Sequence, residues 1–207
     1  MKTKILRKTI NSTFIVALAI SVFTLGVTSC NQTTQNKQNE TAVQSEKPVS
    51  ITVQEVLNAQ KAWGEGIVKI GKVYLENGDY RKVALDHIHK FYNYEDGTVL
   101  FKPTMASEIQ FRTDLEGALS YFIGGNENYP EDHGFAIAPW SEVRWENIGT
   151  KIIGNHAIAM GNYYFTAVDG GAVTKAEYSF AYTKNEDGTI EIILHDSSLP
   201  YAPVENQ

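Results

Sequence analysis

The chain has 207 residues, 43% hydrophobic and 20% charged, with a single cysteine and a formal charge of −6. That balance belongs to a globular chain and excludes a disordered protein or one built of spanning helices; the default is one domain. The acid excess argues against nucleic acid as a partner, since such binding is carried by basic side chains on phosphates.

The first segment, "MKTKILRKTINSTF", carries four cations and leads into the apolar run "FIVALAISVFTLGV". A basic stretch followed by an apolar stretch too short for a comfortable span is the pattern of an export signal. It ends at "VTSC", where Val27, Thr28, Ser29 and Cys30 look like a bacterial lipobox, so Cys30 is expected to carry lipid and residues 1–29 to be a lipoprotein signal peptide. With Cys30 so used, no thiol remains for a disulfide, a thiolate nucleophile or a cysteine-ligated zinc. Removal of 1–29 leaves 14 cations against 24 acids, a formal charge of −10. Residues 30–49 are almost wholly polar and read as a flexible tether, with a reach of roughly 25 Å. The folded domain is placed at 50–207. The expected location is that of an exported, membrane-anchored lipoprotein, periplasmic or at the cell surface.

Within the domain, Thr52 followed by Glu55 fits a capping box. Val53, Val56, Leu57, Trp63, Ile67, Ile70 and Tyr74 then recur at helical intervals, with Gly64 and Gly66 expected to loosen the middle. After the turn "ENGD", the segment "YRKVALDHIHKFYNY" predicts a second helix burying Val83, Leu85, Ile88 and Phe91. "EDGTVLFKPT" predicts a turn and a short strand. "TDLEGALSYFIGG" predicts a third helix, capped by Thr113 with Glu116 and closed by glycines. From residue 131 the texture becomes aromatic and β-branched: "GFAIAPW", "EVRWENIGTKII", "HAIAMGNYYFTAV", "VTKAEYSFAYTK" and "TIEIILHDSS", with "NEDG" as a hairpin turn. Helices first and consecutive strands after them predict an α+β domain, about three helices laid on a curved antiparallel sheet that encloses a pocket.

Five histidines invite a metal reading. His87 and His89 would share a face on a strand, but on the predicted helix they diverge by about 200° and become surface residues. His133 and His156 lie near turns, without spaced partners. His195 is different. On the last strand it alternates with its neighbours, so His195 and Ser197 share one face and Asp196 and Ser198 the other, with Ile193 on the side of His195. A serine pair at a strand end also commonly caps a turn.

The blocks "VLFKPTMASEIQFR", "GALSYFIGG", "DHGFAIAPWSEVRWEN", "AMGNYYFT" and "ILHDSSLPYAP", in this order over residues 52–203, resemble the iota class of carbonic anhydrases. The resemblance implies a nuclear-transport-factor-2-like cone and a lyase that hydrates CO2 to bicarbonate. The family's closing signature, His-His-Ser-Ser-x-Pro, has Asp196 here in place of the second histidine. The family's pocket threonine, tyrosine and serine, whose hydroxyls hold water or bicarbonate, fall on Thr104, Tyr121 and Ser197. Ser198 is the alternative to Ser197, Tyr121 could be a core aromatic, and Thr104 could be an N-cap for "MASEIQF". His195 is the expected proton relay, with an ordinary pKa near 6.5. The implied site is metal-free, with a divalent ion as the alternative. The implied partners are CO2, bicarbonate, a membrane reached through the N-terminal lipid, and a second copy in a homodimer.

Zinc lowers the pKa of water from 15.7 to about 7, equivalent to roughly 12 kcal/mol. Single preorganised donors supply about 3 to 4 kcal/mol. A metal-free site therefore needs several donors, a base and a dry pocket acting together. The alternatives are a noncatalytic small-ligand-binding lipoprotein on the same cone, and proton abstraction by a carboxylate such as Glu177 or Asp196 reaching into it.

Overall fold

The computed structural model describes residues 49–203. The signal segment, Cys30 and the tether up to residue 48 lie outside them. The elements run α1 (Val53–Leu75), α2 (Tyr80–Phe91), β1 (Leu100–Lys102), α3 (Leu115–Ile123), β2 (Trp140–Ile153), β3 (His156–Ala167), β4 (Val173–Lys184) and β5 (Ile190–Ser198). Three helices lie on one face of a five-stranded sheet in the order β1-β5-β4-β3-β2, the expected α+β architecture.

The capping box at α1 forms: the Glu55 amide donates to Thr52 Oγ1 at 3.2 Å, and the Thr52 amide donates to the Glu55 carboxylate at 2.8 Å. Val56, Gln60, Trp63, Ile67 and Ile70, spaced by three and four, form its buried stripe; Val53, Leu57 and Tyr74 are exposed. Gly64 and Gly66 do not loosen the helix. A Cβ at Gly64 would lie 3.0 Å from that of Val143, so its absence lets α1 settle on β2, and one at Gly66 would overlap His87 at 2.1 Å. That space changes the reading of α2, whose buried residues are Ala84, His87, Ile88 and Phe91, with Val83 and Leu85 only half-buried. His87 is a core residue rather than a surface one. At α3 the cap is Asp114, one residue past the expected Thr113, and its carboxylate accepts from the Gly117 amide at 2.8 Å.

Strands β2 to β5 form the expected antiparallel meander. Two features depart from expectation. "GFAIAPW" is a turn up to Pro139, and only Trp140 enters β2: the Phe135 and Ala136 amides donate to the carbonyls of Tyr121 and Phe122, satisfying the orphan carbonyls at the end of α3. The short strand β1 runs parallel to β5, pairing Phe101 with His195. Register shifts at Trp140/Glu142, Asn147/Gly149 and Ala181/Tyr182 mark bulges, which bend the strands and curve the sheet around α1. The last shift leaves Ile193 unpaired, so Ile192 rather than Ile193 shares the inner face with His195.

The inner face carries Tyr163, Phe165, Tyr178, Phe180 and Tyr182, all buried with Trp63 in one aromatic core. Among the described residues no helix lies on the outer face, which leaves Ile148, Ile158 and Met160 exposed.

Candidate functional site

β5 ends where the core narrows to a pocket. Alternation sends His195 and Ser197 inward, 3% and 2% exposed, and turns Asp196 and Ser198 outward. Asp196 lies 3.5 Å from Lys102 Nζ, and the same ammonium donates to the Ser197 carbonyl at 2.6 Å, tying the strand end to β1. The aspartate that replaces the family's second histidine therefore points away from the pocket. Glu177 is exposed on the outer face, where Ser198 Oγ donates to it at 3.5 Å. The carboxylates considered for proton abstraction thus both stand outside the cone, as does the alternative serine.

The loop after β1 brings Thr104 to the same place. Thr104 Oγ1 and Ser197 Oγ are hydrogen-bonded directly, and no helix follows Thr104 for it to cap. Tyr121, on the inward face of α3, is 8% exposed. Burial pushes its hydroxyl up to about 12, against the opposing pull of the Met105 backbone and the Thr104 side chain beside it. It stays a donor at neutral pH. Thr104, Tyr121, Ser197 and His195 therefore meet around one pocket of about 100 Å³, otherwise walled largely by Trp63, Phe101, Phe135, Trp140 and Phe165. Clefts for drug-sized ligands run to about 300–1,000 Å³. This one suits a molecule of a few heavy atoms.

A fourth hydroxyl belongs to the site and was not expected from the sequence. Tyr163, buried on β3, donates to Ser197 Oγ and lies 3.4 Å from His195 Nε2. His195 Nδ1 is 2.9 Å from the Tyr92 hydroxyl, which accepts from the Trp63 indole at 3.1 Å. These partners assign the protons. An indole nitrogen only donates, and the arrangement that leaves no hydroxyl proton of the chain without a partner puts the Tyr92 proton on Nδ1 and the neutral imidazole's own proton on Nε2, toward Tyr163. Tyr163 donates to Ser197, leaving the serine proton for Thr104. The hydrogen bonds run one way, from Trp63 outward to the pocket.

His195 does not keep an ordinary pKa. Burial pushes it well below the usual value, with Lys102 adding to the effect. Its ring lies against Phe180, with centroids 3.9 Å apart, and stacks on Phe101 at 4.7 Å. It is a neutral hydrogen-bonding link.

The other histidines do not join it. His87 is buried, while His89 is on the surface with Nδ1 3.1 Å from Glu95. His133 and His156 are exposed. Among the described residues no group of three or more histidine, cysteine or acidic side chains is placed to hold a metal ion.

A family model described as metal-independent carbonic anhydrase matches residues 54–199. A protein of Nostoc sp. (strain PCC 7120) named metal-independent carbonic anhydrase is 44% identical over 155 residues, 73% of this chain and 75% of the relative. The crystal structure of a cyanobacterial iota-carbonic anhydrase complexed with bicarbonate superposes with a TM-score of 0.72 at 41% identity, covering 76% of this chain and 99% of that one. The α+β architecture is that of this iota-carbonic anhydrase structure. By the extent of these matches, the chain belongs to the metal-independent carbonic anhydrase family.

Proposed function

We propose that the protein interconverts CO2 and bicarbonate without a metal ion, in the pocket of Thr104, Tyr121 and Ser197. The observation that carries this reading is the convergence of these hydroxyls, with Tyr163 behind them, on a cavity of about 100 Å³ with aromatic walls. The walls hold CO2 and exclude bulk water. The hydroxyls hold the attacking water and donate to the oxygens on which negative charge develops, where each preorganised donor contributes about 3 to 4 kcal/mol. Water adds its oxygen to the carbon of CO2, one C–O π pair moves onto oxygen, and a solvent water at the pocket mouth acts as the base that takes the proton, giving bicarbonate and H3O⁺.

His195 enters as an orienting group. A proton passed inward along Tyr163, His195 and Tyr92 would end at Trp63, which has no lone pair to accept it. The released proton therefore leaves through the mouth, and His195 keeps Tyr163 directed at Ser197. The small volume argues against the alternative of a noncatalytic binder for a larger ligand.

The reading is tested by stopped-flow CO2 hydration on the purified protein after exhaustive chelation. Retained activity that falls in Ser197→Ala and Thr104→Ala supports it. Activity indifferent to both substitutions, or activity lost on chelation and restored by a divalent ion, overturns it.

Around this centre the sequence supports an exported lipoprotein, acylated at Cys30 and held at the periplasmic or cell-surface side of a membrane by its polar tether. Cys30→Ala should move the protein from the membrane to the soluble fraction; an unchanged distribution would remove the anchor. A homodimer is supported by the outer sheet face, which no helix covers among the described residues and which exposes Ile148 and Met160. Sedimentation of wild type against Ile148→Glu tests it, a monomer in both being the contrary result.

A further inference from the structure

Thr104 sits on a segment with little to hold it in place. Residues 103–111 contain no helix or strand. Apart from the bond at their base, where the Arg112 amide donates to the Phe101 carbonyl at 2.8 Å, they make no backbone-to-backbone hydrogen bond among the described residues. Yet Pro103, Thr104 and Met105 line the pocket, and the Met105 backbone bears on the Tyr121 hydroxyl. Something must fix this loop, because a displacement of about 1 Å in a reacting geometry costs about a hundredfold in rate.

The fixing group comes from elsewhere in the chain. The Glu131 carboxylate accepts from the amides of Ser107 at 2.7 Å, Glu108 at 3.0 Å and Ile109 at 2.8 Å, and from Ser107 Oγ at 2.8 Å. Three consecutive N–H groups wrapped on one anion form a nest. Those bonds hold the carboxylate down to about 2, so it stays ionised throughout the neutral range. The next residue, Asp132, pairs with Arg112 at 2.8 Å, and Arg112 is fully buried at the base of the same loop. Adjacent carboxylates thus grip the loop at its far arm and at its root.

We propose that Glu131 is a positioning residue: by gathering the amides of residues 107–109 it fixes the loop that presents Thr104 to Ser197, and so sets the spacing of the pocket oxygens. The inference rests on the CO2 hydration proposed above. It concerns a side chain that lies outside the pocket, and that besides the three amides pairs with buried Arg112 at 3.6 Å at the root of the same loop.

The test is a double-mutant comparison in the full chain, with kcat for CO2 hydration measured in wild type, Glu131→Ala, Thr104→Ala and the double variant, together with amide hydrogen exchange at residues 107–109. Glu131→Ala should lower kcat about tenfold or more where Thr104 is present. In the Thr104→Ala background the factor should be less than a third as large, because the hydroxyl being positioned is already gone. Exchange protection at 107–109 should fall. Should Glu131→Ala fail to fold, the same comparison is made with Glu131→Gln, which keeps one acceptor oxygen and should give a smaller loss. Factors agreeing within twofold in the two backgrounds, or kcat within twofold of wild type, overturn the proposal. An active parent with either of those results removes only the role of Glu131, whereas an inactive parent removes the hydration reading beneath it.

Discussion

Two histidines flank the Trp63 ring, His87 at 5.8 Å and His195 at 5.9 Å between centroids, each edge-on. Both are buried, and burial lowers both, His87 to about 3 and His195 well below the usual value. Their connections differ. His195 has a tyrosine at each ring nitrogen and a hydroxyl chain running on to the pocket. His87 packs on Phe91 and Phe122, and its Nε2 has no hydrogen-bond partner among the described residues. A perturbed pKa therefore marks the core in one case and the site in the other, and only the continuity of donors and acceptors separates them.

The largest expected effect lies at the pocket end of that chain. Ser197 is the joint at which Tyr163 and Thr104 meet, so Ser197→Ala unlinks the Thr104 donor from the chain that orients it and should lower kcat/KM for CO2 hydration by about 10²- to 10³-fold, comparable to losing one oxyanion donor. Thr104→Ala should follow at about 10². Stopped-flow assays check both, and equal activity in either variant would break the association of the connected region with chemistry.

The contrast between the histidines themselves should come next. His195→Leu leaves the Tyr92 and Tyr163 hydroxyls without their ring partners, so kcat should fall about tenfold and stability by about 1–3 kcal/mol for the stranded polar groups. His87→Leu removes an imidazole that makes no bond at Nε2, and should leave kcat within about twofold and stability little changed. Tyr163→Phe should resemble His195→Leu in rate while losing less stability, since its ring packing against Trp145 and Phe165 survives. If His87→Leu proved the more damaging for rate, the argument from connectivity would be wrong.

The legible and illegible parts divide along the same line. The α1 cap and its stripe follow from spacing alone, and the inward turn of His195 and Ser197 follows from strand alternation. The convergence of Thr104 and Tyr121 on Ser197 came from family resemblance, because no local pattern links residues 93 positions apart. Tyr163 was missed because "NYYF" offers two adjacent tyrosines, and only the register of β3 decides that Tyr163 faces in with Phe165 while Tyr164 faces out to Glu146. Alternation along β3 runs unbroken from Ala157 and Ala159 to Tyr163 and Phe165, since the bulge opposite Gly161 lies in β2, so Tyr163 follows once that face is known to point inward. Helical periodicity places His87 on the surface because the space for its ring is a missing Cβ on another helix, at Gly66. Bulges and helix-to-helix clearances are tertiary facts, invisible to periodicity.

The smallest effect is a slope. Both buried histidines are neutral in the fold, and their pKa values are lowered relative to an unfolded value near 6.5. The unfolded chain then binds more protons than the native one below that value, so stability is fully present above about 6.5 and declines as pH falls. Each group contributes roughly 1.4 kcal/mol per pH unit in the window where only the unfolded form is charged. Glu131 acts in the same direction but lower, its contribution present above about 4.5 and lost as pH falls through about 2, so a measurement between pH 5 and 6 isolates the histidines. Urea denaturation at those two pH values should show wild type losing about 2 to 3 kcal/mol across the interval and His87→Leu about half as much. His195→Leu should show the same halved slope, because linkage counts protons and is indifferent to what the imidazole touches. An undiminished slope in His87→Leu would mean that His87 already carries its proton in the fold, and the likeness in burial on which the comparison rests would be lost.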